Sequence, residues 1–230
     1  MKIGILNTDT VKPDWAVKFG NYPTQFTALL SEVDPSLEFV TYEVQEGEYP
    51  ADIDEVDAYL ITGSKISVYE DREWIRQLME FVRKLDAAKN KLLGICFGHQ
   101  LIAHALGGKT AKSDKGWGVG VHHYPMIDSP AVPMQTMSVV VSHQDQVVET
   151  ATGAKVLGGT DFCPNAVCQI GDHILTFQGH PEFVADYSRT IIEFRREMIG
   201  EDVAQAGLES LSDPLDRQAM ARWMLDFIAP

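Results

Sequence analysis

The run Lys91-Leu-Leu-Gly-Ile-Cys-Phe-Gly-His-Gln-Leu101 constrains the fold of this chain more than any other segment. A short apolar stretch with the pattern of a buried strand enters Gly94-Ile95-Cys96-Phe97-Gly98, and a helical pattern follows with no intervening loop. A strand that turns directly into a helix makes a sharp, strained bend, and the two elements pass each other closely. That geometry asks for glycine on both sides of the central residue. Cys96 thus stands at the apex of the bend, at a helix N-terminus, where the dipole and unpaired amides favour a thiolate. The Phe97 amide would face an oxyanion formed on a substrate carbonyl.

Around this segment the first half alternates strand and helix. Ile3–Asn7 and Ala58–Ile61 are short apolar runs, read as buried strands, and Leu37–Val44 alternates as a strand does. Thr24–Val33 has helical spacing at Phe26, Leu29, Leu30 and Val33. Glu73–Ala88 carries the stripe Trp74, Leu78, Phe81, Val82 and Leu85. Leu92–Ile95 and Gly98–Leu106 complete a β-α-β-β-α-β-α order, which predicts a mostly parallel sheet covered on both faces. Beyond residue 116 the pattern changes to short strands at Val119–Tyr124, Met137–Val141, Lys155–Leu157, Ala166–Ile170 and His173–Phe177. Gly171-Asp172 reads as a tight hairpin joining the last two. Helical patterns follow at Val184–Met198 and at Ser212–Ile228, the second opened by Ser212-Asp213-Pro214 and spaced by Leu215, Ala219, Trp223 and Phe227. The chain is expected to be a single α/β domain over residues 1–230, with a core to about residue 195, a partly antiparallel edge and a helical extension over about residues 200–230.

Charge narrows the partners. A formal net charge of −14 argues against nucleic acid or anionic membranes, which need clustered Lys and Arg. No apolar run reaches the ~18 residues of a membrane span, and the N-terminus reads as a first strand and not a signal peptide. Three cysteines and no leader predict a reducing cytoplasm. No phosphate-binding or dinucleotide-binding glycine motif is present, so no nucleotide cofactor is expected. Cys163 and Cys168 lack a usual zinc spacing and read as structural thiols, and no metal is expected. The acidic stretch Glu43–Asp57 reads as a solvated loop.

A nucleophilic thiol needs a base. Of the seven histidines, His99 and His104 lie on the helix after the bend and point away from its tip, and His122 and His123 alternate across a strand. His173 falls in the hairpin turn. His180 follows an apolar strand and precedes Pro181-Glu182, and a strand end is where a parallel sheet places its active groups. Glu182 could accept from the second ring nitrogen and fix the tautomer. Ser142-His143-Gln144-Asp145 and Thr62-Gly63-Ser64 also follow strands. They fit either capped turns or ligand contacts.

The segments GICFGHQ (94–100), GHPE (179–182), SHQDQV (142–147) and ITGS (61–64) resemble the class I glutamine amidotransferases over about residues 1–195. The resemblance implies a flavodoxin-like fold, Cys96 as nucleophile, His180 as general base and acid, and Glu182 as its orienter. It implies further that Gln100 and the Ser142-His143 segment hold the α-amino and α-carboxylate groups of glutamine or a γ-glutamyl compound. The oxyanion hole would be formed by the amides of Phe97 and Ser64. The family usually has Gly-Gly or Asn-Gly before Pro after that strand, whereas this chain has Gly63-Ser64-Lys65. The Gly-Ser variant is similar to a stand-alone branch that includes γ-glutamyl peptidases, and the chain is also similar to the amidotransferase domain of GMP synthetase, without an ATP-pyrophosphatase acceptor domain. Two enzyme readings follow: glutamine hydrolysis for a separate synthase subunit, or γ-glutamyl peptide hydrolysis by the chain alone. A redox or stress-response protein of the same fold is the rival from another class.

Overall fold

A computed structural model describes residues 1–229. Its centre is a seven-stranded sheet in the order β2 (Glu38–Glu43), β1 (Lys2–Asn7), β3 (Ala58–Ile61), β4 (Lys91–Ile95), β11 (Ile174–Phe177), β10 (Val167–Ile170), β9 (Ala154–Gly158). The first five strands pair parallel, and β10 and β9 form the antiparallel edge. Burial on both faces explains the unbroken apolar runs. Ile3, Ile5, Leu60 and Leu93 face one side, where α2 (Tyr22–Ser31) and α8 (Arg217–Ile228) contribute Phe26, Leu29, Met220 and Trp223. Leu6, Tyr59, Ile61 and Leu92 face the other, under α3 (Glu73–Ala88) and α4 (Phe97–Ala105). Each large side chain so buried contributes about 1.5–3 kcal/mol. A third apolar cluster joins the antiparallel ribbon β6 (Gly118–Pro125)–β7 (Thr136–His143) to α5 (Ala185–Phe194) and α7 (Glu201–Ser210).

The strands and helices of the first half, and the hairpin over Gly171–His173, stand where the sequence predicts them. Helix α7 lies within the expected helical extension, with Ala204, Gly207 and Leu208 as its buried residues. Helix α1 (Pro13–Phe19) buries no residue fully, and the paired strands β5 (Lys109–Lys112) and β8 (Asp145–Glu149) are short and polar, so neither helix nor strands had a pattern to read. The region Val184–Met198 is two helices, α5 and α6 (Arg196–Ile199).

The last helix is a correction. It begins at Arg217 and not at Ser212-Asp213-Pro214. Asp213 is engaged with His123, and Asp216 exchanges two hydrogen bonds with the Ser138 backbone, so tertiary pairing to β7 outweighs the local start signal. The buried face is Met220, Ala221, Met224 and Ile228 with Trp223, while Ala219 is exposed. Trp223 meets Phe177 edge-on with ring centroids 5.2 Å apart, so α8 covers the sheet itself. Among the described residues no helix is long and apolar enough to cross a membrane.

Candidate active site

The ends of β1, β3, β4 and β11 converge at one edge of the sheet, and their following residues build the site. Cys96 has φ 51° and ψ −99°, one of two non-glycine residues at positive φ among those described. Such a conformation costs on the order of 1–3 kcal/mol and persists only where the surroundings enforce it. The flanking glycines leave room for the close approach that holds it. A Cβ on Gly98 would sit 2.5 Å from the Ile61 carbonyl oxygen, and one on Gly94 would sit 2.9 Å from the Gly98 backbone. Neither obstacle is the flexible end of a side chain. The Cys96 N–H donates to the Phe177 carbonyl at 2.8 Å, which sets the bend against the end of β11.

The parallel register aligns Ile95 with Phe177, so the residues after each strand meet. Gln178 extends its amide to the Cys96 sulfur at 3.6 Å. His180 is pinned by its own N–H on the Val140 carbonyl at 2.8 Å, and its ring lies flat on Phe183 with centroids 4.0 Å apart. Its Nδ1 is 2.7 Å from Glu182 Oε1. Both side chains are sealed from water, at 4% and 2% exposure. Burial alone would lower the His180 pKa, but the Glu182 carboxylate and the adjacent Cys96 sulfur outweigh it and raise it. With Nδ1 on Glu182, Nε2 is left for the sulfur or for a substrate.

The loop after β3 completes the floor. Gly63 packs so close that a Cβ there would lie 2.7 Å from His180 Cε1 and 3.6 Å from Cys96 Cβ. The residues after β1 tie this loop down. The Thr8 hydroxyl donates to the Gly63 carbonyl at 2.9 Å, and the Thr8 N–H donates to Thr62 Oγ1 at 3.0 Å. Asp9 accepts from the Lys65 N–H at 2.9 Å and from its ammonium at 2.6 Å. Sequence reading passed over Thr8 and Asp9. Their signal was a polar run, Asn7-Thr8-Asp9-Thr10, ending a buried strand.

The other predicted residues are nearby in differing roles. Phe97 opens α4, so its N–H has no helical partner. Ser64 accepts from the Ile66 N–H at 3.2 Å through its hydroxyl. Gln100 is buried, its amide donating to the Asp145 carbonyl at 2.8 Å and to Gln178 at 3.1 Å. The His143 ring is buried beside Phe162 with Nδ1 3.1 Å from the Asp145 carbonyl, and burial holds its pKa down at about 3. The Ser142 hydroxyl accepts from Arg195 at 3.1 Å. His99 faces Thr176 at 2.8 Å and is kept neutral by burial. Cys163 and Cys168 are free and buried, and burial pushes both thiols up to about 12. Among the described residues no three His, Cys, Asp or Glu side chains converge to hold a metal ion. Gly116 and Trp117 form the loop before β6, which begins at Gly118, one residue ahead of the strand expected at Val119–Tyr124.

Comparison with known proteins shows the family. Residues 23–196 match the family model described as glutamine amidotransferase class-I. The chain is 29% identical to γ-glutamyl peptidase 2 of Arabidopsis thaliana, over 84% of this chain and 81% of that one. It is 31% identical to a glutamine-hydrolysing GMP synthase of Porphyromonas gingivalis, over 71% of this chain and 32% of that one. The crystal structure of a glutamine amidotransferase from Methylobacillus flagellatus superposes with a TM-score of 0.78 at 20% identity, covering 99% of this chain and 92% of that one, and shares the fold.

Proposed function

Because the chain belongs to the class I glutamine amidotransferase family, we propose that it hydrolyses the γ-glutamyl amide bond of glutamine or a γ-glutamyl compound through a thioester on Cys96. The observation that carries this reading is the buried Glu182–His180 pair at 2.7 Å beside a cysteine held at positive φ on a helix N-terminus. A thiol that only senses oxidants needs no oriented base, and this weighs against the redox reading.

The Cys96 thiolate attacks the γ-carbonyl carbon. Charge moves onto the carbonyl oxygen, where the amides of Phe97 and Ser64 stabilise it. The leaving nitrogen takes a proton from His180 Nε2, the carbon–nitrogen bond breaks, and a γ-glutamyl thioester remains. Water then attacks the thioester while His180 accepts its proton, which releases glutamate and restores the thiol. Gln100 and the main chain of the Ser142–Asp145 segment shape the pocket for the α-amino and α-carboxylate groups, while the Ser142 hydroxyl stays with Arg195. The ring of His143 and the amide of Gln100 brace that pocket from behind.

Thr8 positions the oxyanion hole. In a trans peptide the carbonyl and N–H point in opposite directions. By accepting from Thr8, the Gly63 carbonyl directs the Ser64 N–H to the other side. Thr8→Val removes that constraint at nearly constant volume. The expected result is a kcat lower by roughly 10- to 100-fold, short of the full loss of a donor, with little change in KM. Thr8→Ser restores most of it. Steady-state kinetics on the three proteins reads this directly, and a change confined to KM would contradict the assignment.

Glutamine and γ-glutamyl peptides both satisfy this chemistry. The likeness to a γ-glutamyl peptidase supports the stand-alone reading, and the likeness to a GMP synthase supports ammonia supply to a synthase partner. Purified protein assayed against glutamine and a panel of γ-glutamyl dipeptides is expected to release glutamate from at least one class. Activity only after a cell extract is added would point to a synthase subunit. Release from neither class under any condition overturns the proposal.

A further inference from the structure

On the reading just given, one further residue selects the leaving group. We propose that Arg195 anchors a free carboxylate on the amine released from the γ-glutamyl bond, so that the preferred substrates are γ-glutamyl peptides ending in an unmodified C-terminus.

Strand geometry brings Arg195 to the site. Val140 bridges to His180, and Ser142, two residues further along β7, presents its side chain on the same face about 7 Å away. The Ser142 hydroxyl accepts from the Arg195 guanidinium at 3.1 Å, and that guanidinium lies 5.9 Å from the centre of the Trp117 ring. Arg195 thus meets a neutral hydroxyl and an aromatic face. Among the described residues it makes no ion pair, although the chain holds 33 Asp and Glu. Its neighbour Arg196 is matched to Glu193 and Glu201, and the nearby Lys65 ammonium is taken by Asp9. A half-buried guanidinium with several unused donors, in a strongly acidic protein, is arranged to receive an anion from outside.

Packed aromatic rings lie beside the imidazole, with Phe183 and Tyr187 buried in the cluster under α5. His180 stacks on Phe183, Phe183 stacks on Tyr22 at 6.2 Å, and the Tyr22 hydroxyl is 3.5 Å from that of Tyr187. Trp117 also lines a cleft of about 400 Å³ between β6 and α7, with room for the side chain of a departing residue. Reach fits as well. An extended chain advances ~3.5 Å per residue, so a dipeptide leaving group carries its carboxylate about 7 Å from the scissile nitrogen. The ammonia released from glutamine carries no carboxylate for Arg195 to hold.

The test compares a γ-glutamyl tripeptide bearing a free C-terminal carboxylate with the same peptide as its C-terminal amide. The wild type is expected to favour the acid in kcat/KM by roughly 10- to 100-fold, the range of a charge-assisted, part-buried contact. Arg195→Met and Arg195→Gln should bring the acid-to-amide ratio close to one, while Arg195→Lys should keep a preference for the acid. Equal turnover of acid and amide by the wild type overturns the inference whether or not the variants fold. So does a ratio that stays at the wild-type value in folded Arg195→Met or Arg195→Gln. In both cases the hydrolase reading survives, since γ-glutamyl bonds are still cut. A wild type that cuts neither the peptides nor glutamine removes the hydrolase reading and this inference together.

Discussion

Cys96→Ala is expected to abolish glutamate release, with a loss in kcat on the order of 10⁴-fold or more, because no other group can form the thioester. Alanine keeps the Cβ and tolerates the same φ as cysteine, so the bend between β4 and α4 is left intact and the melting temperature should move little. Cys163→Ala and Cys168→Ala supply the contrast. Both thiols are buried and held far from the thiolate form, with pKa values pushed up to about 12. Their loss should leave most of the activity. Intact-mass measurement during turnover is expected to show a γ-glutamyl adduct on the wild type and none on Cys96→Ala. Turnover near the wild-type level in Cys96→Ala would falsify covalent catalysis at this residue.

The second large effect lies in the Glu182–His180 pair. His180→Asn removes the imidazole beside Cys96 and should lower kcat by several orders of magnitude. Glu182→Gln keeps the shape and a hydrogen-bonding oxygen, so a smaller loss is expected, about 10²- to 10⁴-fold. The pH profile separates orientation from charge. Burial lowers the His180 pKa, while the Glu182 carboxylate and the Cys96 sulfur raise it, with a net upward shift. A raised value keeps the imidazolium, the proton donor for the leaving group, present through neutral pH and loses it only as pH climbs to the folded value. The alkaline limb of kcat/KM should therefore lie above neutrality in the wild type. In Glu182→Gln the carboxylate's upward push is gone and burial remains, so that limb should move to lower pH. Both limbs report the coupled Cys96–His180 pair and not one residue alone. A Glu182→Gln variant with an unshifted alkaline limb would limit Glu182 to a packing role.

How much of this was legible beforehand depended on whether the signal was local. Gly94, Cys96 and Gly98 were readable because a strand-to-helix bend imposes its demands within five residues, and the close contacts to Ile61 and Ile102 explain each glycine. The buried strands were readable because a sheet covered on both faces needs unbroken apolar runs. Helix α3 was readable from its stripe. Helix α1 was not, because its apolar residues Trp15, Ala16 and Phe19 are only partly buried, and α8 was misplaced at its start because Asp213 and Asp216 answer to His123 and Ser138 across the fold.

His180 and Glu182 could be chosen from the sequence as a strand-end pair, but their alignment with Cys96 depends on β11 lying beside β4, eighty residues away in the chain. The same holds more strongly for the supporting residues. Thr8 and Asp9 reach the loop after β3 only because β1 and β3 are neighbours in the sheet, and Arg195 reaches Ser142 only because α5 packs on the β6–β7 ribbon. The sequence by itself determined which residues could perform the chemistry, since side-chain type and backbone strain are local properties. Which of them meet, and what holds them in line, was decided by strand order and helix packing, since those contacts join segments that no periodicity or spacing connects.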